Sequence, residues 1–414
     1  MKKILAILLC LCMVLAIVAC NKTEDTTETT AATTAPVTEA ATEEVTEATT
    51  TAETTEAATT AATTEETTTE EATTETPVVE AEYKLGMGIV VDTASSASAT
   101  ADKAGTAQID ATVAAVVLDK DGKIVSCRLD AVQNKITVNA DGTIVVPETF
   151  KTKMELGDDY NMAKYGQSMD WNKDGVVKEW YAQAKAFEAH VVGMTAAEVE
   201  AMATQVVEGS GYVISADEAL LSAGCTIQIT DFKAAVVAAC NDEQGMSFKT
   251  ASAFTLGVAA TSANDGSTDA TAEAAGSVQV YSDFAAAVVV DGKIVATLND
   301  AIQPKIAIDA TGAIGETTYV NTKRGLKEDY NMAKYGASMD WNGDGQVKEW
   351  YLQSAAFSNY VLGKTAAEVA DMATKVVEGS GYVISADDAL LSAGCTIQIT
   401  AIKAVVAQSV TNAR

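Results

Sequence analysis

One stretch of this chain is written twice. Glu208–Thr230 reads EGSGYVISADEALLSAGCTIQIT and Glu378–Thr400 reads EGSGYVISADDALLSAGCTIQIT, with Glu218 and Asp388 the single difference. The duplication is wider than this core: Tyr160 to Thr230 aligns without a gap on Tyr330 to Thr400 at a constant offset of 170, with roughly four residues in five the same. Upstream the match is weaker, carried by Leu85-Gly86 against Leu256-Gly257 and by Asp121-Gly122-Lys123-Ile124-Val125 against Asp291-Gly292-Lys293-Ile294-Val295. Roughly 330 residues are too many for one ordinary domain, and the repeat predicts two tandem homologous domains, residues 82–245 and 246–414.

Each half opens with strand signals. Val113, Ala115 and Val117 alternate into the Asp119–Gly122 turn and Lys123–Leu129 returns, which predicts a hairpin; Lys135–Val138, Asp141-Gly142 and Thr143–Val146 predict a second. The counterparts are Ala285–Val290 with Lys293–Leu298, and Lys305–Ile308 before Thr311-Gly312. Helical spacing follows in Val177, Trp180, Tyr181, Ala184, Phe187 and Val191, stopped by Gly193, with Thr195 and Glu198 as a capping box for a further helix. Strands first and helices later predict an α+β fold, each domain a small, mainly antiparallel sheet with helices. The aromatic stripe, repeated as Trp350, Tyr351, Phe357 and Val361, reads as core.

The duplicated stretch itself predicts a strand at Tyr212-Val213-Ile214 and a capping box at Ser215 and Glu218, or Ser385 and Asp388, opening a short helix. Gly224 and Gly394 stand where a helix end favours a left-handed residue. Thr230 is the predicted N-cap of a helix through Phe232, Ala235, Val236 and Ala239. Thr226 and Thr396 therefore fall in a glycine turn shortly before a helix N-terminus, where free N–H groups favour an anion. From the residues alone, a tight turn with a buried threonine is the competing reading.

The order acid, Ser, Gly or Ala, Thr, then helix resembles the flavin-attachment region of bacterial FMN-binding domains, most closely the two-domain FMN-binding surface lipoproteins of Gram-positive extracellular electron transfer. In that family a flavin transferase links FMN by a phosphoester to the last threonine of the motif Asp-x-x-Ser/Thr-Gly-Ala-Thr. Here Ala223-Gly224-Cys225-Thr226 and Ala393-Gly394-Cys395-Thr396 fill the motif's end, with Ser222 and Ser392 one place early. Leu220 and Leu390 stand at the motif's Asp position, the nearest acids being Asp217 and Glu218, or Asp387 and Asp388. The resemblance implies covalent FMN on Thr226 and Thr396, one per domain. It also implies an electron carrier rather than a catalyst, fed by a membrane quinone-linked oxidoreductase and discharging to extracellular acceptors. The alternative is a non-redox cell-surface binding or structural lipoprotein of the same fold, stabilised by calcium.

Calcium enters through a second repeated loop. Asp170, Asn172 and Asp174, and likewise Asp340, Asn342 and Asp344, occupy positions 1, 3 and 5 of an EF-hand-type loop, with glycine at 6 and valine at 8. Tyr181 and Tyr351 stand at position 12, and Glu179 and Glu349, at position 10, are the candidate substitutes for the missing acid. A helix-entry turn whose Asp and Asn bond the backbone is the other reading.

The first 20 residues combine Lys2-Lys3 with a short apolar run and end in Ile17-Val18-Ala19-Cys20. This resembles a bacterial lipobox, which implies cleavage before Cys20, lipidation of its thiol and display at the outer face of the cytoplasmic membrane. Residues 21–80 collapse to Thr, Glu and Ala and predict a disordered linker of roughly 200 Å contour and roughly 45 Å coil span. A formal net charge of −29 argues against nucleic acid. His190 is the only histidine and its counterpart is Tyr360, so no His-based triad or zinc site is common to both halves. Cys225 and Cys395 have no imidazole partner and read as small buried residues.

Overall fold

The computed structural model describes residues 80–414 apart from 166–169, 172–174, 333, 335–338 and 344. Cys20 and the linker of residues 21–80, save Glu80, lie outside them, as do Asn172, Asp174 and Asp344. The described residues from Glu80 to Arg414 belong to one compact unit of helices and antiparallel sheets. Among the described residues no helix is long and apolar enough to cross a membrane.

In the first half, β1 (Ala81–Asp92), β2 (Gly105–Leu118) and β3 (Ile124–Val138) form an antiparallel meander with the short β4 (Ile144–Val145) at its edge. Asp119 makes the β2–β3 turn by accepting the N–H groups of Asp121 and Lys123, both at 2.9 Å. The sequence broke β3 near Leu129 because Asp130, Gln133 and Asn134 are polar. The strand runs on because the structure satisfies two of them: Asp130 accepts the amides of Ala131 and Met154, and Asn134 donates to Ser262 and Ser282. Next come α1 (Lys153–Leu156), α2 (Met162–Tyr165), α3 (Trp180–His190), α4 (Ala196–Glu200), the hairpin β5 (Thr204–Val206) and β6 (Val213–Ser215), α5 (Glu218–Ser222) and α6 (Thr230–Cys240). The capping box of α4 is present as predicted, Thr195 and Glu198 each bonding the other's backbone N–H. Helix α3 starts three residues later than Val177, at Trp180, behind the N-cap Glu179.

Then β7 (Met246–Thr250) crosses the repeat boundary and pairs with Ala81–Leu85 of β1, completing the order β4-β3-β2-β1-β7. The second half repeats the plan. β8 (Thr255–Asn264) and β10 (Lys293–Ile302) flank β9 (Gly276–Val290), and β11 (Lys305–Ile308) and β12 (Ile314–Thr318) follow. Asp291-Gly292, with φ of 49° and 75°, forms a two-residue hairpin turn. β10 and β11 together match the single strand β3. Pro304, which stands where the first half has Asn134, offers no N–H to the ladder and divides them. The helices α7 (Lys323–Leu326), α8 (Trp350–Tyr360) and α9 (Ala366–Ala370), the hairpin β13 (Thr374–Val376) and β14 (Val383–Ser385), α10 (Asp388–Ser392) and α11 (Thr400–Thr411) complete the chain.

Alternation along the strands sorts the core into layers. In β2, Val113, Ala115 and Val117 join Val280, Phe284, Ala286 and Val288 of β9 in a core between the two sheets. The intervening Ala114, Val116 and Leu118 face Trp180, Phe187, Phe232 and Val236, and the second sheet likewise meets Trp350, Phe357, Ile402 and Val406. The order is helix, sheet, sheet, helix, and the aromatic stripe is core as predicted. Leu85-Gly86 and Leu256-Gly257 find their reason here. A Cβ on Gly86 would collide with the carbonyl oxygen of Ala239 in α6, and one on Gly257 with that of Ser409 in α11.

Candidate functional site

The duplicated stretch folds into a turn held from beneath by one side chain. Gln183 of α3 is fully buried, and its Oε1 accepts Thr226 N–H at 2.8 Å, Ile227 N–H at 3.0 Å and the Thr226 hydroxyl at 3.3 Å. Its Nε2 donates to Lys178 O at 2.7 Å and to Met162 Sδ at 3.4 Å. The second half repeats this: Gln353 Oε1 accepts Thr396 N–H at 2.7 Å, Ile397 N–H at 3.0 Å and the Thr396 hydroxyl at 3.2 Å. Thr226 and Thr396 are each 2% exposed. Without Gln183, the one acceptor these two buried N–H groups meet among the described residues, both would be unpaired, at a cost of about 1–3 kcal/mol each.

The other motif residues divide around this turn. Glu218, Asp388, Ser222 and Ser392 lie exposed on its outer side, while Gly224, Gly394, Cys225 and Cys395 are buried with the threonines. Burial pushes both thiols up to about 12, so neither is a nucleophile. Gly224, at φ 88°, is covered by Lys178, whose Nζ donates to Ala223 O at 2.8 Å; Lys348 does the same to Ala393 O at 2.7 Å.

Two predicted caps are corrected. The N-cap of α5 is Asp217, whose Oδ1 accepts Ala219 and Leu220 N–H, while Ser215 sits two residues earlier and accepts Asp217 N–H at 3.0 Å. A carboxylate placed directly at the helix start displaces the Ser-x-x-Glu box; Asp387 does the same for α10. Thr230 is the first residue of α6 rather than its cap, and Ile229 at the N-cap supplies no side-chain bond. His190 and Tyr360 converge on one role despite their chemistry. His190 Nε2 lies 3.9 Å from Asp217 Oδ2, and the Tyr360 hydroxyl donates to Asp387 Oδ2 at 2.5 Å. The Tyr360 bond and the Ala389 N–H hold the Asp387 carboxyl below its usual range.

The candidate metal loops are seen in part. Asp170 Oδ2 accepts Gly175 N–H and Asp340 Oδ2 accepts Gly345 N–H, both at 2.9 Å, linking position 1 to the turn at position 6. Asn342 Nδ2 donates to Leu391 O at 3.1 Å. Glu179 Oε2 accepts Met162 N–H at 2.7 Å and Glu349 Oε2 accepts Met332 N–H at 2.8 Å, so one oxygen of each position-10 glutamate has a backbone partner. Among the described residues no group of three or more His, Cys, Asp or Glu is placed to hold a metal ion.

Sequence reasoning passed over Gln183 and Gln353, whose signal was identity between copies at a buried helix position. It also passed over Lys323. That lysine is buried, donates to the Tyr281 hydroxyl at 2.8 Å, and lies 4.3, 4.7 and 5.7 Å from the ring centroids of Tyr281, Tyr330 and Trp350. Burial lowers its pKa to about 8 against the pull of Asp283, itself raised by burial to about 7. In the first half Lys153 lies 5.1 and 5.5 Å from Tyr160 and Trp180.

No family model, no curated protein and no solved structure matches this chain.

Proposed function

We propose that the chain is a surface lipoprotein anchored through Cys20 at the outer face of the cytoplasmic membrane in a Gram-positive-type envelope. In this reading residues 21–80 are its tether, and the tandem homologous domains, 82–245 and 246–414, form a non-redox binding or structural module stabilised by calcium at the loops opening at Asp170 and Asp340. One observation carries the choice against a flavin carrier: in both halves the threonine hydroxyl of the motif is buried and bonded to a buried glutamine. In that arrangement neither hydroxyl can receive a phosphoester unless the turn opens. The test is co-expression of the full chain with a flavin transferase, followed by denaturation and intact-mass measurement. A mass without an FMN increment is expected; an FMN increment lost stepwise in Thr226→Val and Thr396→Val would overturn the reading.

A second reading is favoured by the near identity of the two turns and by the exposed Ser222, Glu218, Ser392 and Asp388 on their outer sides. There the turn opens to the transferase, FMN is attached to Thr226 and Thr396, and the protein carries electrons from a quinone-linked oxidoreductase. FMN would supply the redox chemistry; the chain would supply the hydroxyl and the tether.

A further inference from the structure

The two halves differ most where α3 and α8 meet their sheets. In the first half Glu188 of α3 is buried, accepts Leu129 N–H at 2.9 Å and receives Arg414 Nη2 at 3.0 and 2.8 Å on its two oxygens, with Arg128 Nη1 at 3.8 Å. At the offset of 170, Arg128, Leu129, Ala184, Glu188 and Arg414 correspond to Leu298, Asn299, Ser354, Ser358 and Gln244. Where the first half is filled by an ion cluster, the second holds a cavity of about 310 Å³ lined by those five residues together with Arg324.

Its polar groups are buried and ordered. Asn299, Ser354 and Ser358 are 1–2% exposed. The Ser354 hydroxyl donates to the backbone and side-chain oxygens of Asn299 at 2.8 and 2.9 Å, and Asn299 Nδ2 donates to Ser358 Oγ at 2.9 Å. Ser358 therefore acts as an acceptor towards Asn299 and has its own proton to give. Arg324 is 6% exposed, and its Nη2 serves Asp242 Oδ1 and Oδ2 at 3.2 and 3.1 Å and Gln244 O at 3.1 Å. Its Nε and Nη1 meet no acceptor among the described residues. Arg324 and Ser358 thus leave donor capacity in this cavity, whose complement is a ligand's acceptor oxygens, while the amide oxygens of Gln244 and Asn359, which accept no bond among the described residues, leave acceptor capacity beside it. The neighbouring carboxylates are engaged: Asp242 by Arg324, Glu328 by the Tyr351 hydroxyl at 2.8 Å, and Glu243 by Lys327 at 3.1 Å.

We propose that this cavity binds a small carboxylic acid of a few carbon atoms, its carboxylate oxygens received by Arg324 and Ser358. A guanidinium takes a carboxylate better than it takes a neutral hydroxyl, and the volume, at the low end for ligand sites, limits the rest of the molecule. Asp242 offsets the arginine's formal charge, so recognition rests on donor geometry and the affinity is modest. The site uses neither the threonine turn nor the acidic loops, so it stands or falls apart from the reading above.

The test is ligand-observed saturation-transfer NMR on the full chain with lactate and succinate, chloride holding ionic strength constant and glycerol as the neutral control. At least one acid is expected to bind saturably with a Kd at or below about 1 mM and glycerol not at all. Ser358→Leu, which fills the cavity, is expected to abolish binding in a protein that still unfolds cooperatively, though at a lower midpoint; Arg324→Lys is expected to weaken it by about tenfold or more. Failure of both acids to bind, equal binding of glycerol, or binding that survives in a folded Ser358→Leu protein would overturn the proposal and leave a cavity that holds only water.

Discussion

The two halves agree at the turn and disagree at the interface. Around Thr226 and Thr396 the same glutamine collects the same three donors at distances that differ by no more than 0.1 Å. Further along the same helices, at Ala184 and Glu188 against Ser354 and Ser358, and on the strands beside them, at Leu129 against Asn299, an ion cluster has become a polar cavity. The turn is locked because one acceptor serves several buried donors, so any change there strands a polar group. The interface is free to vary because its members can be exchanged as a set.

That contrast can be broken most directly at its rigid side. Gln183→Met and Gln353→Met should each destabilise the protein by about 2–5 kcal/mol in urea unfolding, and by matching amounts; unequal losses would show that the turns are not equivalent. At the variable side, Glu188→Gln removes the carboxylate facing Arg414 and Arg128 and should cost about 2–4 kcal/mol, whereas Ser358→Ala, its counterpart, should cost about 1 kcal/mol by the same measurement.

Titration tests buried groups in both halves. Burial raises Asp130 in the first half from 3.8 to about 7, so between those values the folded protein holds a proton that the unfolded chain has released. Its stabilisation is full below about pH 4 and is lost as pH rises through about 7. Lys323 in the second half is lowered from 10.5 to about 8, so between those values the unfolded chain holds a proton that the folded protein has given up, and stability rises with pH across that window. Urea midpoints measured against pH should show Asp130→Asn flattening the acid arm, with Asp283 retaining part of it, and Lys323→Met removing the alkaline rise. The smallest effect is expected at Tyr360→Phe, about 0.5–1 kcal/mol in urea unfolding for an exposed bond to the α10 cap.

What the residues made legible was local or repeated. The duplication, the Asp-Gly hairpins, the Thr195 capping box and the Trp180–Phe187 stripe each depend on spacing within a few residues, and each is found. The single run of β3 was not legible, because Asp130 and Asn134 are satisfied by Met154 and by Ser262 and Ser282, far along the chain. Nor was the role of Gln183, a helical glutamine whose Oε1 serves donors more than 40 residues away. Thr226 and Thr396 were correctly placed in a turn before a helix, but their burial depends on the glutamine beneath them. Mixed helix and antiparallel sheet was legible; that the two halves would share the core between their sheets was not, since either face of β2 is equally apolar in sequence.

The central claim is that the motif threonines are sealed against Gln183 and Gln353. Native-state hydrogen exchange of the Thr226, Ile227, Thr396 and Ile397 amides tests it most directly. The account predicts exchange within about tenfold of the slowest β2 amides, through global opening. Exchange at the rate of the exposed turn around Gly209 and Gly379 would contradict it and return the hydroxyls to solvent.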